Sequence, residues 1–220
     1  MRVKISFKNY SDIPVRNQKE LNSYIHRCIG HDNKYHDSFS RYSISSIQGG
    51  KLDCKSGMLK FESEPYIYVS SPDSEFMQNL VMGAMTSGEK LFSMEFLKVE
   101  PAEQKVNEYY DTLITLSPIL YKRKPDGRKI TFDDPEWIGG LTEQCVKKIE
   151  HAGLSSNGFR IELRNPDKSK KKMIYVGDVF NPCSHVSLRV FGDKDARKYL
   201  YSVGLGNSCG SGFGSVKIYE

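Results

Sequence analysis

Five glycines lie close together near the end of the chain, within residues 203–216. They occupy Gly204, Gly206, Gly210, Gly212 and Gly214. Glycine adopts a positive φ without steric penalty and lets other groups approach the backbone closely. Because exposed backbone N–H groups in such a loop bind phosphate, the segment predicts a contact site for a phosphate-rich chain.

Two clusters of basic residues lie in the same half of the chain. The first spans a predicted turn and consists of Lys122, Arg123, Lys124, Arg128 and Lys129. The second consists of Arg160, Arg164, Lys168, Lys170, Lys171 and Lys172. The chain carries a net charge of +5, with most of the excess in residues 101–220. A single charged run is usually a solvated turn, but two runs beside a glycine-rich segment predict a track of phosphate contacts.

Motifs for nucleotide and metal binding are absent from the sequence. No Gly-Lys-Ser or Gly-Lys-Thr follows the glycines, which excludes a P-loop. A dinucleotide-binding fingerprint opens a helix after a strand, whereas the glycines here follow a helix-like pattern. The five cysteines are widely spaced with no CxxC pair, which argues against a disulfide framework and a zinc site. We therefore expect neither a metal nor a cofactor.

The elements that would position these residues are alternating strands and helices. Residues 2–8 alternate apolar and polar side chains, the pattern of a half-buried strand, and residues 15–30 place apolar side chains at helical spacing. Strands are then predicted over 42–48, 58–71 and 90–99, with interruptions at Gly49-Gly50 and Glu64-Pro65 and a helix over 71–88. The resulting order β-α-β-β-α-β is that of the ferredoxin-like motif.

Residues 101–220 predict a second unit of the same kind. Strands are predicted over 113–121, 129–132, 159–163, 173–179, 186–191 and 215–219, and helices from Asp133 to about Ile149 and over 194–203. We therefore predict an α+β fold of two tandem ferredoxin-like (RRM-like) domains. Residues 1–101 form the first domain, and residues 102–220 form the second, which carries the basic clusters and the glycine-rich loop.

The composition is that of an ordinary globular protein. The 220 residues are 38% hydrophobic and 27% charged, with no long apolar run, which argues against a disordered or membrane protein. The first residues alternate like a strand and lack the apolar region of a signal peptide. We expect a cytoplasmic protein that does not associate with membranes.

The C-terminal glycine pattern also supports a resemblance to a known family. Leu200-Tyr-Ser-Val-Gly-Leu-Gly followed by Gly210-Ser-Gly-Phe-Gly214 resembles the C-terminal motif of the repeat-processing CRISPR-associated endoribonucleases, the Cas-six family of the RAMP superfamily. Leu116-Ser-Pro-Ile and Tyr35-His-Asp are weaker similarities. The resemblance implies tandem ferredoxin-like domains that bind the repeat of precursor CRISPR RNA and cut it once per repeat. It also implies metal-independent cleavage, in which the 2′-hydroxyl attacks the adjacent phosphate and leaves a 2′,3′-cyclic phosphate and a 5′-hydroxyl.

The same resemblance implies a catalytic histidine just after the first helix. His36 is the first candidate for the general base and His31 the second, because histidine exchanges protons near neutral pH. Tyr35 adjoins His36 and would orient its ring or share in proton transfer. Lys51, with Lys34 and Arg41 nearby in sequence, is a candidate for the cation that stabilises the developing phosphorane charge.

Two other functions remain open from the sequence. The protein would be a non-catalytic RNA-binding subunit of a CRISPR ribonucleoprotein complex if the loop after the first helix lacks activity. A small-molecule enzyme with a ferredoxin-like fold is the third class, although no cofactor motif supports it. The expected partners are repeat RNA and other subunits of a CRISPR effector complex, and the sequence leaves open whether the protein is a monomer or a homodimer.

Overall fold

The structure is a computed structural model that describes residues 1–9, 11–30, 41–124 and 126–219. The α-helices in these ranges are α1 (Gln18–Ile29), α2 (Ser74–Thr86), α3 (Trp137–His151) and α4 (Lys194–Val203). The strands of the first half are β1 (Arg2–Lys8), β2 (Ile13–Pro14), β3 (Ser43–Ile44), β4 (Gln48–Asp53), β5 (Met58–Ser70) and β6 (Glu95–Pro101). Those of the second half are β7 (Tyr110–Thr115), β8 (Tyr121–Lys122), β9 (Lys129–Ile130), β10 (Arg160–Arg164), β11 (Lys170–Val176), β12 (Val179–His185), β13 (Ser187–Phe191) and β14 (Val216–Ile218).

The N-terminal sheet is antiparallel and is organised around β1 and β5. Strand β1 pairs with β5 on one side and β6 on the other, and β5 also pairs with β2, β3 and β4. Helices α1 and α2 cover one face, where Leu21, Ile25 and Phe76 pack against Ile5 and Ile67 of the sheet. The period-2 pattern predicted for residues 2–8 therefore places its apolar side chains under the two helices.

The C-terminal sheet has four antiparallel strands in the order β10-β13-β7-β14. Its buried face carries Leu113, Leu188 and Val190, which pack against Trp137 of α3 and Leu200 of α4. Two hairpins lie outside this sheet, formed by β8 with β9 and by β11 with β12. The two basic clusters predicted from the sequence fall mainly on these hairpins and on β10.

Several strand predictions for individual segments were wrong. The strands predicted over 42–48 and 113–121 are each broken, the first into β3 and the start of β4 and the second into β7 and β8. Gly49-Gly50 and Glu64-Pro65 do not interrupt strands but lie inside β4 and β5, where a register shift between Gln48 and Gly50 accommodates an irregular pairing. The strand predicted over 173–179 is instead a hairpin, because Gly177-Asp178 forms a two-residue turn between β11 and β12. Gly177 adopts the positive φ of 55° that such a turn favours.

Buried polar contacts join the two halves at the glycine-rich loop. The Gln18 Nε2 donates to the Ser211 carbonyl at 2.8 Å, and the Ser43 Oγ donates to the Ser202 carbonyl at 3.1 Å. The Arg2 guanidinium, 1% exposed, donates to the Tyr201 carbonyl at 3.1 Å and lies 3.8 Å from the centre of the Tyr201 ring. Burial lowers the pKa of Arg2 to about 10. These contacts connect β1, α1 and β3 of one half to α4 and its following loop in the other.

Two glycines at this joint leave no space for a side chain. A Cβ added at Gly212 would lie 1.6 Å from the Gln18 Nε2, and one at Gly214 would lie 1.8 Å from the Leu205 carbonyl oxygen. Gly214 also has a positive φ of 62°. The neighbour of Gly214 is fixed backbone, so close packing requires glycine there. At Gly212 the Gln18 amide is the end of a flexible side chain, and the positive φ of 83° is what favours glycine.

The packing requirement at Gly214 is testable by comparison with Gly153, which has a positive φ of 73° but open space around it. Gly153→Ala should lower the free energy of unfolding by about 1 kcal/mol, from backbone strain alone. Gly214→Ala adds the clash with a fixed carbonyl, for a total of about 2–4 kcal/mol. Urea unfolding of both variants measures the difference, and equal losses would contradict the close-packing account.

Candidate nucleic-acid interface

The face of the C-terminal sheet opposite α3 and α4 carries aromatic and basic side chains. Because side chains alternate along a strand, Leu188 and Val190 of β13 point to the helices while Arg189 and Phe191 point away. We call this uncovered surface the aromatic-basic face. It consists of Tyr110, Phe191, Tyr219, Arg160, Arg164, Arg189 and Lys217.

The strand register sets these residues in rows across the sheet. In one row Arg160 lies opposite Phe191, and Phe191 lies opposite Tyr110. The Arg160 guanidinium carbon is 3.6 Å from the centre of the Phe191 ring, and the Phe191 and Tyr110 ring centres are 5.5 Å apart. In the next row Arg189 reaches to 5.1 Å from the centre of the Tyr110 ring. Arginine beside exposed aromatic rings is suited to binding unpaired bases and phosphates together.

The N-terminal sheet carries a smaller surface of the same type. Lys4, Tyr66 and Tyr68 share the side of β1 and β5 that points away from α1 and α2. The two tyrosine ring centres are 5.5 Å apart, and the Lys4 Nζ is 4.2 Å from the centre of the Tyr66 ring. Both sheets therefore present aromatic rings with a cation on the side that faces away from their own helices.

A histidine lies among cations on the β11–β12 hairpin. His185 is the pairing partner of Lys170, and its Nδ1 is 2.8 Å from the Thr115 hydroxyl oxygen. Partial burial, followed by the charges of Lys172 and Lys170, lowers the pKa of His185 below its ordinary value. The lowered pKa favours the neutral form of His185, and the contact with Thr115 orients its ring beside the two lysines.

Other predicted basic residues already have partners. Arg123 forms ion pairs with Asp126 and Glu136, and these carboxylates raise its pKa. Lys171 pairs with Asp133 at 2.6 Å. Within the described ranges, members of the two clusters that form no ion pair with a carboxylate are Lys122, Lys124, Arg128, Lys129, Arg164, Lys168, Lys170 and Lys172.

The predicted glycines are more buried than a phosphate cradle would require. Gly204, Gly206, Gly210, Gly212 and Gly214 are all buried. The exposed part of the segment is Ser208, which has a positive φ of 56°, next to the partly exposed Asn207. An RNA-binding role for the five glycines stays a prediction, and any contact to a ligand would come through this exposed edge.

The predicted catalytic residues are described only in part. His31, Tyr35 and His36, with Lys34, lie outside the described residues. Lys51 lies on β4 and forms an ion pair with Glu62 of β5 at 2.8 Å, with both side chains about three-quarters exposed. Exposed ion pairs of this kind contribute little and exchange readily, so Lys51 remains available to a phosphate.

Sequence reasoning missed several members of the interface. Tyr110, Tyr219, Arg189, Lys217 and His185 were not predicted as site residues, because their grouping depends on the register between strands distant in sequence. The alternation Ser-Leu-Arg-Val-Phe in β13 was the available signal, since it places Arg189 and Phe191 on one face.

The described ranges lack a metal-binding cluster and a membrane-spanning helix. No group of three or more His, Cys, Asp or Glu side chains there is arranged to hold a metal ion. None of the helices described is long and apolar enough to span a membrane.

Comparisons with known proteins give consistent matches. The family model described as CRISPR associated protein Cas6, C-terminal, matches residues 99–218. The CRISPR-associated endoribonuclease Cas6 1 of Methanocaldococcus jannaschii is 27% identical, with 100% of this chain and 93% of that protein aligned. An endoribonuclease-like Cas6 protein of Pyrococcus furiosus is 30% identical over 70% of this chain and 68% of its own length. A solved structure of a CRISPR associated protein Cas6 aligns with a TM-score of 0.80, at 26% identity, over 100% of this chain and 99% of the other.

The charge environment of His185 is testable by NMR titration of its imidazole. Replacing both Lys170 and Lys172 with glutamine should raise the pKa of His185, because two positive charges that oppose protonation are removed. Lys171→Gln is the matched control, since Lys171 pairs with Asp133 and is not among the groups that shift His185. An unchanged midpoint in the double variant, or an equal rise in the control, would contradict this assignment.

Proposed function

This chain belongs to the Cas6 family of CRISPR-associated proteins, and on that premise we propose that it is a metal-independent endoribonuclease that processes precursor CRISPR RNA. The family relatives named as endoribonucleases support the activity. The aromatic-basic face is the observation that supports RNA as the ligand, because three rings and four cations share one uncovered sheet surface.

The aromatic-basic face suits an unpaired stretch of the CRISPR repeat. Bases stack on Tyr110, Phe191 and Tyr219, and the cations beside them neutralise the intervening phosphates. Glu162 of β10 is an acidic residue on the same face, opposite Arg189 of β13. Its carboxylate is paired with Arg160 at 3.3 Å. The face therefore remains positive after its internal ion pairing, as a phosphate-bearing ligand requires.

The proposed reaction is an internal transesterification. His36 takes the proton from the 2′-hydroxyl, and the 2′-oxygen bonds to the adjacent phosphorus. The bond from phosphorus to the 5′-oxygen breaks, and that oxygen accepts a proton, with Tyr35 sharing in proton transfer. Lys51 stabilises the charge on the phosphorane by exchanging Glu62 for the phosphate. The products are a 2′,3′-cyclic phosphate and a 5′-hydroxyl, and no water is consumed.

We also propose that the two halves are tandem ferredoxin-like domains with a boundary near residue 101. In the second half, support comes from the strand-helix-strand-strand-helix-strand order that remains once its two hairpins are set aside. The first half has the same order when β2 is set aside and β3 and β4, which both pair with β5, are counted as one position. The large hydrophobic cores are separate, one drawn from residues 3–94 and the other from residues 106–218. The RNA would then contact both sheets, through Lys4, Tyr66 and Tyr68 in the first and the aromatic-basic face in the second.

The alternative is a non-catalytic RNA-binding subunit of a CRISPR complex. It is favoured by the completeness of the binding surface, which needs no residue of the segment that holds His31 and His36. Tight binding of repeat RNA by the wild-type protein without product would establish this alternative in place of the nuclease.

The catalytic assignment is tested with His36→Ala and labelled repeat RNA in EDTA. We expect cleavage to fall by about 10²–10⁴-fold, the usual contribution of general acid-base catalysis, while repeat binding is retained. His185→Ala is the control, since His185 is the neutral, oriented histidine among the described cations. Full cleavage activity of His36→Ala would show that His36 is not the general base. Loss of cleavage in His185→Ala alone would assign the general base to His185 instead. Wild-type cleavage that requires Mg²⁺ would overturn the metal-independent mechanism.

The stacking role of the aromatic-basic face is tested with Tyr110→Ala. Loss of one stacked base weakens binding by about 1–3 kcal/mol, so the Kd for repeat RNA should rise about tenfold. Tyr109→Ala is the matched control, because Tyr109 is 83% exposed and precedes the strand. Fluorescence anisotropy at fixed salt measures both variants, and equal losses would show that the face is not where bases stack.

A further inference from the structure

A cavity of about 550 Å³ lies between α3, β8 and the glycine-rich loop. Helix α3 packs on the side of the C-terminal sheet opposite the aromatic-basic face, so the cavity is distinct from that surface. Cavities of this size hold ligands of the size of a nucleotide.

The cavity contains a buried lysine without a countercharge. Lys148 is 5% exposed, and its Nζ donates to the Gly204 carbonyl at 3.0 Å and to the Cys209 sulfur at 3.4 Å. In the part of the chain that the structure describes, Lys148 forms no ion pair with a carboxylate. Burying an ammonium group is unfavourable by several kcal/mol unless it is paired. An anion in the cavity would supply the missing charge.

The other charges of the cavity are also mainly positive. Lys122 and Lys124 line it from β8 and the following turn, and neither has a carboxylate partner among the described residues. Glu143 is the acid of the lining, and it is already paired with Lys147 one helical turn away. The cavity therefore keeps a positive charge that a phosphate would neutralise.

The glycine-rich loop adds backbone donors to the same wall. Ser208 adopts a left-handed conformation with φ 56° and ψ 38°, and Cys209 starts a right-handed turn. This alternation turns successive N–H groups to one side and forms an anion-binding concavity. Within the described ranges, the N–H groups of Ser208 and Cys209 donate to no backbone carbonyl.

A base-recognition group lies on the opposite wall. Gln144 of α3 lines the cavity, and its Oε1 is buried with no hydrogen-bond partner among the described residues. An unsatisfied buried acceptor is unfavourable by about 1–3 kcal/mol. Rotation of this amide into the cavity would present a donor and an acceptor, the pair that reads the edge of a nucleobase.

We propose that this cavity binds one ribonucleotide, with its phosphate at Lys148, Lys122 and Lys124 and its base at Gln144. The proposal rests on the proposed function, since RNA is the nearest source of such a unit. A nucleotide of the bound RNA and a free nucleoside monophosphate present the same chemistry, and the experiment separates these sources.

The test is NMR titration of the full chain with each of the four ribonucleoside 5′-monophosphates and, separately, with inorganic phosphate. We expect saturable shifts of the Ser208, Cys209 and Gln144 amide signals, at nucleotide concentrations at least tenfold below those needed for phosphate. Lys148→Met and Lys122→Gln/Lys124→Gln should each weaken nucleotide binding at least tenfold. The double variant changes only exposed side chains and so keeps the test independent of folding. Lys198→Gln, an exposed charge change on α4, should have no effect.

Competition with repeat RNA identifies the source. If the monophosphate displaces RNA, or Gln144→Leu weakens RNA binding, then a nucleotide of the RNA occupies the cavity. If nucleotides bind without competing, the site takes free nucleotide. No shifts, equal response to phosphate alone, or equal effects of Lys198→Gln would overturn the nucleotide site. RNA cleavage by the wild-type protein is measured separately, so failure of the cavity is distinguishable from failure of the nuclease assignment.

Discussion

The buried polar contacts between the two halves fix the geometry of every surface described above. Gln18 of α1 donates to a carbonyl of the glycine-rich loop, and Ser43 of β3 donates to the end of α4. Glutamine and serine satisfy the Ser211 and Ser202 carbonyls at this joint, and these bonds favour the observed position of the loop. Because this same loop forms a wall of the cavity beside α3, the joint between the halves and the cavity are built from one segment. A shift of one half would therefore change both.

The glycine-rich loop shows how far the sequence could be interpreted. The clustering of glycines correctly indicated close backbone approach, and α4 was predicted with its observed bounds, since Asp193 caps it and Gly204 ends it. The groups of this chain that come near the backbone are Gln18 at Gly212 and Leu205 at Gly214, and the predicted contact with a phosphate chain stays a prediction. A cluster of glycines indicates that another group lies close to the backbone, but it does not show whether that group belongs to the protein or to a ligand.

Pairing between strands distant in sequence explains why the aromatic residues of the interface were not predicted. The basic residues of β10 were identified by their local clustering, yet their aromatic neighbours Tyr110 and Tyr219 come from strands about 50 residues away on either side. Charge partners are equally non-local, as with Lys171 and Asp133. A charged run therefore indicates a basic region, whereas the fold decides which of its members remain free to bind. On β11 those are Lys170 and Lys172, which alternate with the paired Lys171.

Lys148 connects the stability of the fold to a ligand. Its ammonium group stabilises the glycine-rich loop by bonding to the Gly204 carbonyl and the Cys209 sulfur, but these neutral acceptors leave its charge uncompensated. A structure that buries such a charge is less stable than one in which an anion neutralises it. Any phosphate that enters beside Lys148 therefore binds the folded chain more tightly than the unfolded one, and raises its stability with the logarithm of ligand concentration once the site is mostly occupied. Since Gly204 also lies at the joint between the halves, occupancy of the cavity would tighten the same segment that holds the two sheets in place.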